Sequence, residues 1–432
     1  MANFHLVTLF PKFFDSPLRT GLLGQARQNG LVNFSFHNPR DHSVNKFRHI
    51  DDRPYGGGPG MVMQGPPVAA ALRAVPKPGR ILLLSPGGRP FTQSLACELA
   101  KEPDITLVCG RYEGMDARLE LIFPMMTPVC VGEAVLNGGE TAALAVIEAT
   151  ARLVPGFMGK AESAGEESFT GSLLEYPHYT RPLLLEGHSV PEILLTGHHA
   201  RIVRWRRDAA LSATLAARPD MLSVAPLNQE DAEAIATCPL ERPGRNLSFC
   251  LLHYPVMLDK NKSGISSLTN LDIHDIALIS RNYAMGPFYV VTPLANQRRL
   301  LEDILRHWTC GPAAAANPDK ARALARVCPA ASLEEAAERL GGHTGAKPRL
   351  VASSASWPAK KNAPDLLVPR DVRDMCRDGP VLLCLGTARG ISHEIFACCE
   401  GMLRPLRFLD DNHLSVRSAA IVFADRILGD FF

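Results

Sequence analysis

The residues best placed to do chemistry lie in four segments built around glycine. The first reads Asp51-Asp52-Arg53-Pro54-Tyr55-Gly56-Gly57-Gly58-Pro59-Gly60-Met61, with four glycines in five positions around Pro59. Such a backbone takes positive φ easily and approaches a ligand closely. No Gly-Lys-Ser/Thr follows, so it is not a P-loop. The others are Leu84-Ser85-Pro86-Gly87-Gly88-Arg89, Cys109-Gly110-Arg111-Tyr112-Glu113-Gly114 and Val135-Leu136-Asn137-Gly138-Gly139-Glu140. Two of these follow strand-like runs and the last precedes a helical one. Glycine-bearing loops at the carboxyl ends of parallel strands form a binding crevice, and their backbone groups can hold an adenosyl ligand without a phosphate clamp. A single glycine loop is more often a plain tight turn; the ordered set is the signal.

The elements that must position these loops are short apolar runs alternating with helical patterns. Residues 81–84, 105–109 and 127–131 read as buried strands, and 92–100 and 140–152 as helices. This rhythm predicts an α/β fold with a mostly parallel sheet. Residues 161–171 are small and polar and read as a mobile linker, and 172–240 carry helical patterns with little strand signal. A second strand–helix series starts at Asn246, with strands expected at 247–252, 288–292, 349–352 and 381–385. Thr269-x-x-Asp272 has the form of a capping box opening a helix through Tyr283, and the Ala- and Pro-rich stretch 310–318 reads as a loop.

With 432 residues, two or three domains are expected, and 46% hydrophobic residues suffice for sizeable cores. A net charge of +2 leaves a nucleic-acid partner to be judged from local charge. The first residues, MANFHLVTLFPKFF, read as a strand and not a signal peptide, and no run approaches the ~18 apolar residues of a membrane span. Eleven scattered cysteines without CxxC read as free thiols in a reducing cytoplasm. His37, His42 and His49 lack metal-like partners, so no metal site is expected; an Mg2+ requirement is not legible in the sequence.

The glycine loops come in order with Asp15-Ser16-Pro17, Val154-Pro155-Gly156, Pro177-His178-Tyr179-Thr180-Arg181-Pro182 and His198-His199-Ala200. Together they make roughly residues 3–235 resemble the TrmD-type tRNA (guanine-N1)-methyltransferases. The resemblance implies a SPOUT-type parallel sheet with a trefoil knot, at residues 1–160, whose knot loops bind S-adenosylmethionine. It implies a donor site of Leu84, Ser85, Pro86, Gly110, Tyr112, Glu113, Val131, Gly132, Leu136, Gly138 and Gly139. It further implies tRNA as substrate, modification of the guanosine 3′ of the anticodon, and a homodimer whose active sites are shared between subunits.

Neutral guanine carries a proton on N1, so attack on a sulfonium methyl needs a base, and the charge developing toward O6 needs a cation. By family position the cation is Arg152. The family's base is an Asp in a motif ending Asp-Ser-Phe; here Glu166-Glu167-Ser168-Phe169 puts Glu167 in that place. Glu133-Ala134 also departs, standing where the family usually shows Asp-Tyr. In Arg201-Ile202-Val203-Arg204-Trp205-Arg206-Arg207, helical spacing sets Arg201, Arg204 and Arg207 on one side, as RNA-phosphate contacts of a tRNA-binding domain at 172–242.

Residues 246–432 carry a second signal. Asn270 near a helix start with Arg281 near its end, Leu385-Gly386-Thr387-Ala388-Arg389-Gly390 after a strand, and Asn412-His413-Leu414-Ser415 before a terminal helix resemble TrmH-like SPOUT methyltransferases. The resemblance implies donor contacts at Gly386, Gly390 and Ser415, with Arg281 and Asn412 as catalytic candidates. The whole chain then reads as two SPOUT-type domains separated by a small helical one. The alternative reading makes the C-terminal unit a non-catalytic RNA-binding or dimerisation module. A dinucleotide oxidoreductase is disfavoured, since no GxGxxG opens either α/β unit.

Overall fold

The computed structural model describes residues 1–158, 167–238, 243–259, 262–355, 365–406 and 414–429. The chain divides into two compact units, Met1–Thr170 and Gly171–Phe432. The first holds a five-stranded sheet in the order Val32–His37, Ala2–Val7, Asp104–Cys109, Arg80–Pro90, Thr127–Cys130. Every neighbouring pair is parallel.

Side chains alternate across such a sheet, and both faces are buried. Leu82, Leu84, Ile105 and Leu107 face one core together with Ala143, Val146 and Ile147 of the helix Gly139–Ala151. Ile81, Leu83 and Val108 face the other, with Val68, Ala71 and Leu72 of the helix Gly65–Arg73. Leu107 is fully buried, so its truncation to Ala should cost about 2–5 kcal/mol.

The strand at 81–84 proves longer than expected. Its pairing with Thr127–Cys130 shifts register between Leu84 and Arg89, both of which face Val129, so Ser85–Gly88 bulge out from the ladder. Gly88 permits this, because a Cβ there would lie 2.3 Å from the Val129 nitrogen.

In the second unit, the helices His199–Ala217 and Gln229–Thr237 pack through Leu211, Leu215 and Ile235. They are followed by a seven-stranded sheet in the order Val327–Ala330, Phe288–Val291, Leu247–Leu252, Val381–Gly386, Arg349–Ser353, Gly401–Leu403, Leu366–Leu367. All its pairings are parallel. Phe249, Leu251, Leu383 and Leu385 pack beneath the helices Asn270–Asn282 and Val416–Leu428, while Cys250, Leu252 and Leu382 meet Leu333–Thr344.

Two local expectations change. Residues 310–318 are not a loop: helices run over Pro312–Ala316 and Pro318–Leu324. Each proline occupies the first helical turn, where its missing N–H costs nothing, and Asn317 caps the second helix by accepting from Lys320 N at 3.0 Å. Thr269 does precede the helix Asn270–Asn282, but its hydroxyl donates to the Asp272 carboxylate and makes no cap to the backbone. The polar stretch 161–166 lies outside the described residues.

Candidate active site

The three loops of the first unit meet. All eleven residues expected at the donor site line one pocket of about 460 Å3 at the carboxyl ends of the strands. Sheet order explains the convergence. Arg80–Pro90 lies between Asp104–Cys109 and Thr127–Cys130, so the three loops leave neighbouring strand ends.

Close approach between the loops shows at their glycines. The Gly139 nitrogen donates to Gly110 O at 2.9 Å, and a Cβ on Gly139 would lie 2.7 Å from the Cys109 Cα. A Cβ on Gly138 would lie 2.2 Å from the Arg111 side chain. The segment Asp51–Met61 does not line the pocket. It braces the lining instead: Glu113 N donates to Met61 O at 3.0 Å and Met63 N to Gly114 O at 2.9 Å. Its glycines do take the positive φ expected of them, at Gly56, Gly57, Gly58 and Gly60.

Several charged residues at the pocket were given no role in the sequence reading, although Arg111 and Glu140 stand within its glycine segments. Arg111 lines it, and its Nε lies 2.9 Å from Oε2 of the buried Glu140. Thr8 Oγ1 donates to the other Glu140 oxygen at 2.8 Å. Burial, and then the Glu140 charge, push the Cys109 thiol well above its ordinary pKa. Asp116 is held below the usual carboxylate range by hydrogen bonds from Arg118 at 2.6 and 2.9 Å.

The two catalytic candidates also meet. Arg152, which caps the C-terminal end of the helix Gly139–Ala151, places Nη2 2.5 Å from Glu167 Oε1. Neither residue lines the pocket of its own chain.

In the second unit, Arg204 and Arg207 are engaged within the helical region. Arg204 reaches Asp208 at 2.6 Å and Glu230 at 3.0 Å, and Arg207 reaches Asp231 at 2.9 Å. Asp231 is buried and shares a capping box with Asn228, so these arginines anchor the start of Gln229–Thr237. The Arg207 hydrogen bond holds the Asp231 pKa down. A phosphate contact would compete with these carboxylates. Arg201 is exposed.

A second pocket, of about 310 Å3, is lined by Gly386, Gly390 and Ser415. Gly390 has φ +103°, and a Cβ on Gly386 would lie 2.3 Å from the Ile391 nitrogen. Arg281 is not brought there. It sits at the far end of its helix, with Nη2 2.9 Å from Asp319 Oδ1, while Asp272 at the near end lines the pocket. Asn412 lies outside the described residues.

Sequence reasoning missed a buried hydrogen-bonded chain beneath this pocket. His253 Nδ1 lies 3.0 Å from Ser266 Oγ, which bonds the Thr387 hydroxyl, and Ser266 and Thr387 both line the pocket. Burial lowers the His253 pKa to about 4, so the imidazole is neutral near pH 7. Asp272, which lines the pocket, is paired with Arg417 at 3.5 Å.

Comparison with known proteins accounts for both halves. The family model described as tRNA (Guanine-1)-methyltransferase TrmD matches residues 2–224, and that of a SAM-dependent RNA methyltransferase matches residues 246–429. A protein of Oleidesulfovibrio alaskensis named tRNA (guanine-N(1)-)-methyltransferase is 55% identical over 429 residues, 99% of each chain. One of the same name from Nitratidesulfovibrio vulgaris is 52% identical over 428 residues, again 99% of each. A Geobacter metallireducens protein of that name is 47% identical over 233 residues, covering 53% of this chain and 94% of its own length. The first half therefore corresponds to nearly the whole of a shorter relative. The chain belongs to the TrmD family of tRNA (guanine-N1)-methyltransferases, with a SAM-dependent RNA methyltransferase domain joined at its C-terminal side.

Proposed function

We propose that this chain transfers the methyl group of S-adenosylmethionine to N1 of guanosine 37, immediately 3′ of the anticodon, in tRNA. The observation that carries the reading is the convergence of all eleven expected donor residues on one pocket. Glu167 takes the N1 proton and Arg152 stabilises charge at O6. Their position outside their own chain's pocket supports a homodimer in which each site is completed by the partner subunit. The three clustered loops support a trefoil knot in the first SPOUT-type sheet, at 1–160, and the turns carrying Gly386, Gly390 and Ser415 at the second pocket support one at 246–432. The region 172–242 serves tRNA binding, and Arg201 is the arginine of its basic strip best placed to reach phosphate.

Incubating the full chain with S-adenosylmethionine and tRNA transcripts bearing either G or A at position 37, followed by nucleoside mass spectrometry, tests this. 1-Methylguanosine should form only in the G37 transcript. Its absence, or its presence in both, overturns the reading.

For the C-terminal unit we propose donor binding at the second pocket, on the strength of Gly386, Gly390 and Ser415 lining it together. The engagement of Arg281 by Asp319 favours the non-catalytic alternative over a methyl transfer that depends on that arginine.

A further inference from the structure

The donor and the product of methyl transfer differ at one atom: S-adenosylmethionine carries a sulfonium, and S-adenosylhomocysteine a neutral thioether. A pocket that turns over must hold the first and release the second. Arg111 is the one cationic side chain among the described residues lining the first pocket, and it works against a sulfonium. Its partner Glu140 is an almost fully buried carboxylate, with 1% of its side chain exposed.

The pair is held from several sides. Nε of Arg111 lies 2.9 Å from Glu140 Oε2, Thr8 Oγ1 holds the other oxygen at 2.8 Å, and Arg111 Nη1 donates to Asn137 O at 3.1 Å. The guanidinium also lies 4.5 Å over the Phe10 ring. With Arg111 neutralised, the charges left facing the cavity are those of Glu113 and Glu120, since Arg118 takes up the charge of Asp116.

We propose that Glu140 is a specificity-determining residue: by cancelling the Arg111 charge it lets the pocket discriminate the cationic donor from the neutral product. The inference rests on the reading of this pocket as the donor site. Glu140 acts through Arg111 and does not touch the ligand, so it is a positioning residue.

The test measures KM for S-adenosylmethionine and the competitive inhibition constant of S-adenosylhomocysteine on 1-methylguanosine formation by the full chain, which reads only the first site. Glu140→Gln should raise KM for the donor on the order of tenfold, as expected for one uncompensated charge at an effective dielectric of ~20. The inhibition constant of the neutral product should move less than about twofold, because it offers no sulfonium charge to repel. The double variant Arg111→Gln/Glu140→Gln should bring the ratio of the two constants back toward wild type. Equal shifts in both constants would reduce Glu140 to a packing role, and failure of the double variant to restore the ratio would exclude the electrostatic account. If Glu140→Gln does not fold, Arg111→Gln decides: it leaves the Glu140 charge uncompensated and should shift the ratio in favour of the cationic donor, and an unchanged ratio overturns the proposal. A folded wild type that makes no 1-methylguanosine would instead overturn the underlying reading of the site.

Discussion

Nη2 of Arg152 and Oε1 of Glu167 stand 2.5 Å apart, so the cation and the carboxylate assigned to the two sides of one proton transfer are paired before substrate arrives. The longer side chain of Glu167, against the family's usual Asp, spans this gap from a position 15 residues along the chain. In the proposed reaction, guanine enters between groups already close to each other, exchanging an ion pair for contacts at O6 and N1.

Glu167→Gln should therefore lower the rate of 1-methylguanosine formation by roughly 10²–10⁴-fold, the usual contribution of a general base. KM for the donor should change little, because the base acts in the chemical step. Single-turnover kinetics with saturating tRNA checks this. A variant with near-normal rate would return Glu167 to a structural partner of Arg152.

The arginine strip predicts two separable phenotypes. Arg207→Ala removes the nearest cation from the buried Asp231, leaving Arg204 at 3.5 Å and the Asn228 backbone N–H, and should destabilise the second unit. The cost should be about 1–2 kcal/mol, below that of a fully buried pair because Arg207 is partly exposed. Arg201→Ala should leave the melting temperature unchanged, weaken tRNA binding, and reduce the salt slope by about one. Melting and binding curves at several salt concentrations separate the two. An unchanged slope in Arg201→Ala excludes it from the RNA contact.

This contrast marks what could be read from sequence. Helical spacing did put Arg201, Arg204 and Arg207 on one helix, His199–Ala217, but besides Asp208 of the same helix the carboxylates that engage Arg204 and Arg207, Glu230 and Asp231, come from another element. Only tertiary packing decides such pairings. The glycine loops were legible because close approach leaves its mark in residue type even where the neighbour is distant in sequence: a Cβ on Gly88 or Gly139 would meet the backbone of Val129 or Cys109 at 2.3 or 2.7 Å, and one on Gly138 the Arg111 side chain at 2.2 Å. Arg281, by contrast, does not reach the second pocket of its own chain. Its motif fixes a position along a helix, and at 1.5 Å per residue it lies about 14 Å along the axis from Asp272, at the wrong end for the pocket. The chain from His253 through Ser266 to Thr387 joins residues far apart in sequence, and no local pattern announces it.

His253 also predicts a pH dependence. Its folded pKa of about 4 lies below the ordinary 6.5, so between these values the unfolded chain binds more protons. The stability it contributes is fully present above pH 6.5 and is lost progressively as pH falls toward 4. The loss should be roughly 3 kcal/mol. Urea unfolding of the second unit, followed across this range, should show the decline in wild type and a flatter profile in His253→Gln. Parallel profiles would assign the acid sensitivity elsewhere.

The second pocket calls for a substitution that changes chemistry without breaking the turn. Gly386→Val is a poor choice, because the added side chain would collide with the backbone of Gly390 and Ile391 and unfold the loop itself. Thr387→Val keeps the shape and removes one hydroxyl from the pocket wall, together with its bonds to Ser266 and to Leu252 O. If the second pocket binds the donor, calorimetry on the full chain should resolve two binding events in wild type. Thr387→Val should weaken one of them by about tenfold, the effect of losing one or two hydrogen bonds at roughly 1 kcal/mol each. Formation of 1-methylguanosine should remain at the wild-type rate, since the first pocket is untouched. Arg281→Ala should leave both events unchanged, because its guanidinium is held by Asp319 at the far end of the helix. A single binding event in wild type would make the C-terminal unit a module without a donor of its own. Loss of donor binding in Arg281→Ala would instead return that residue to the site.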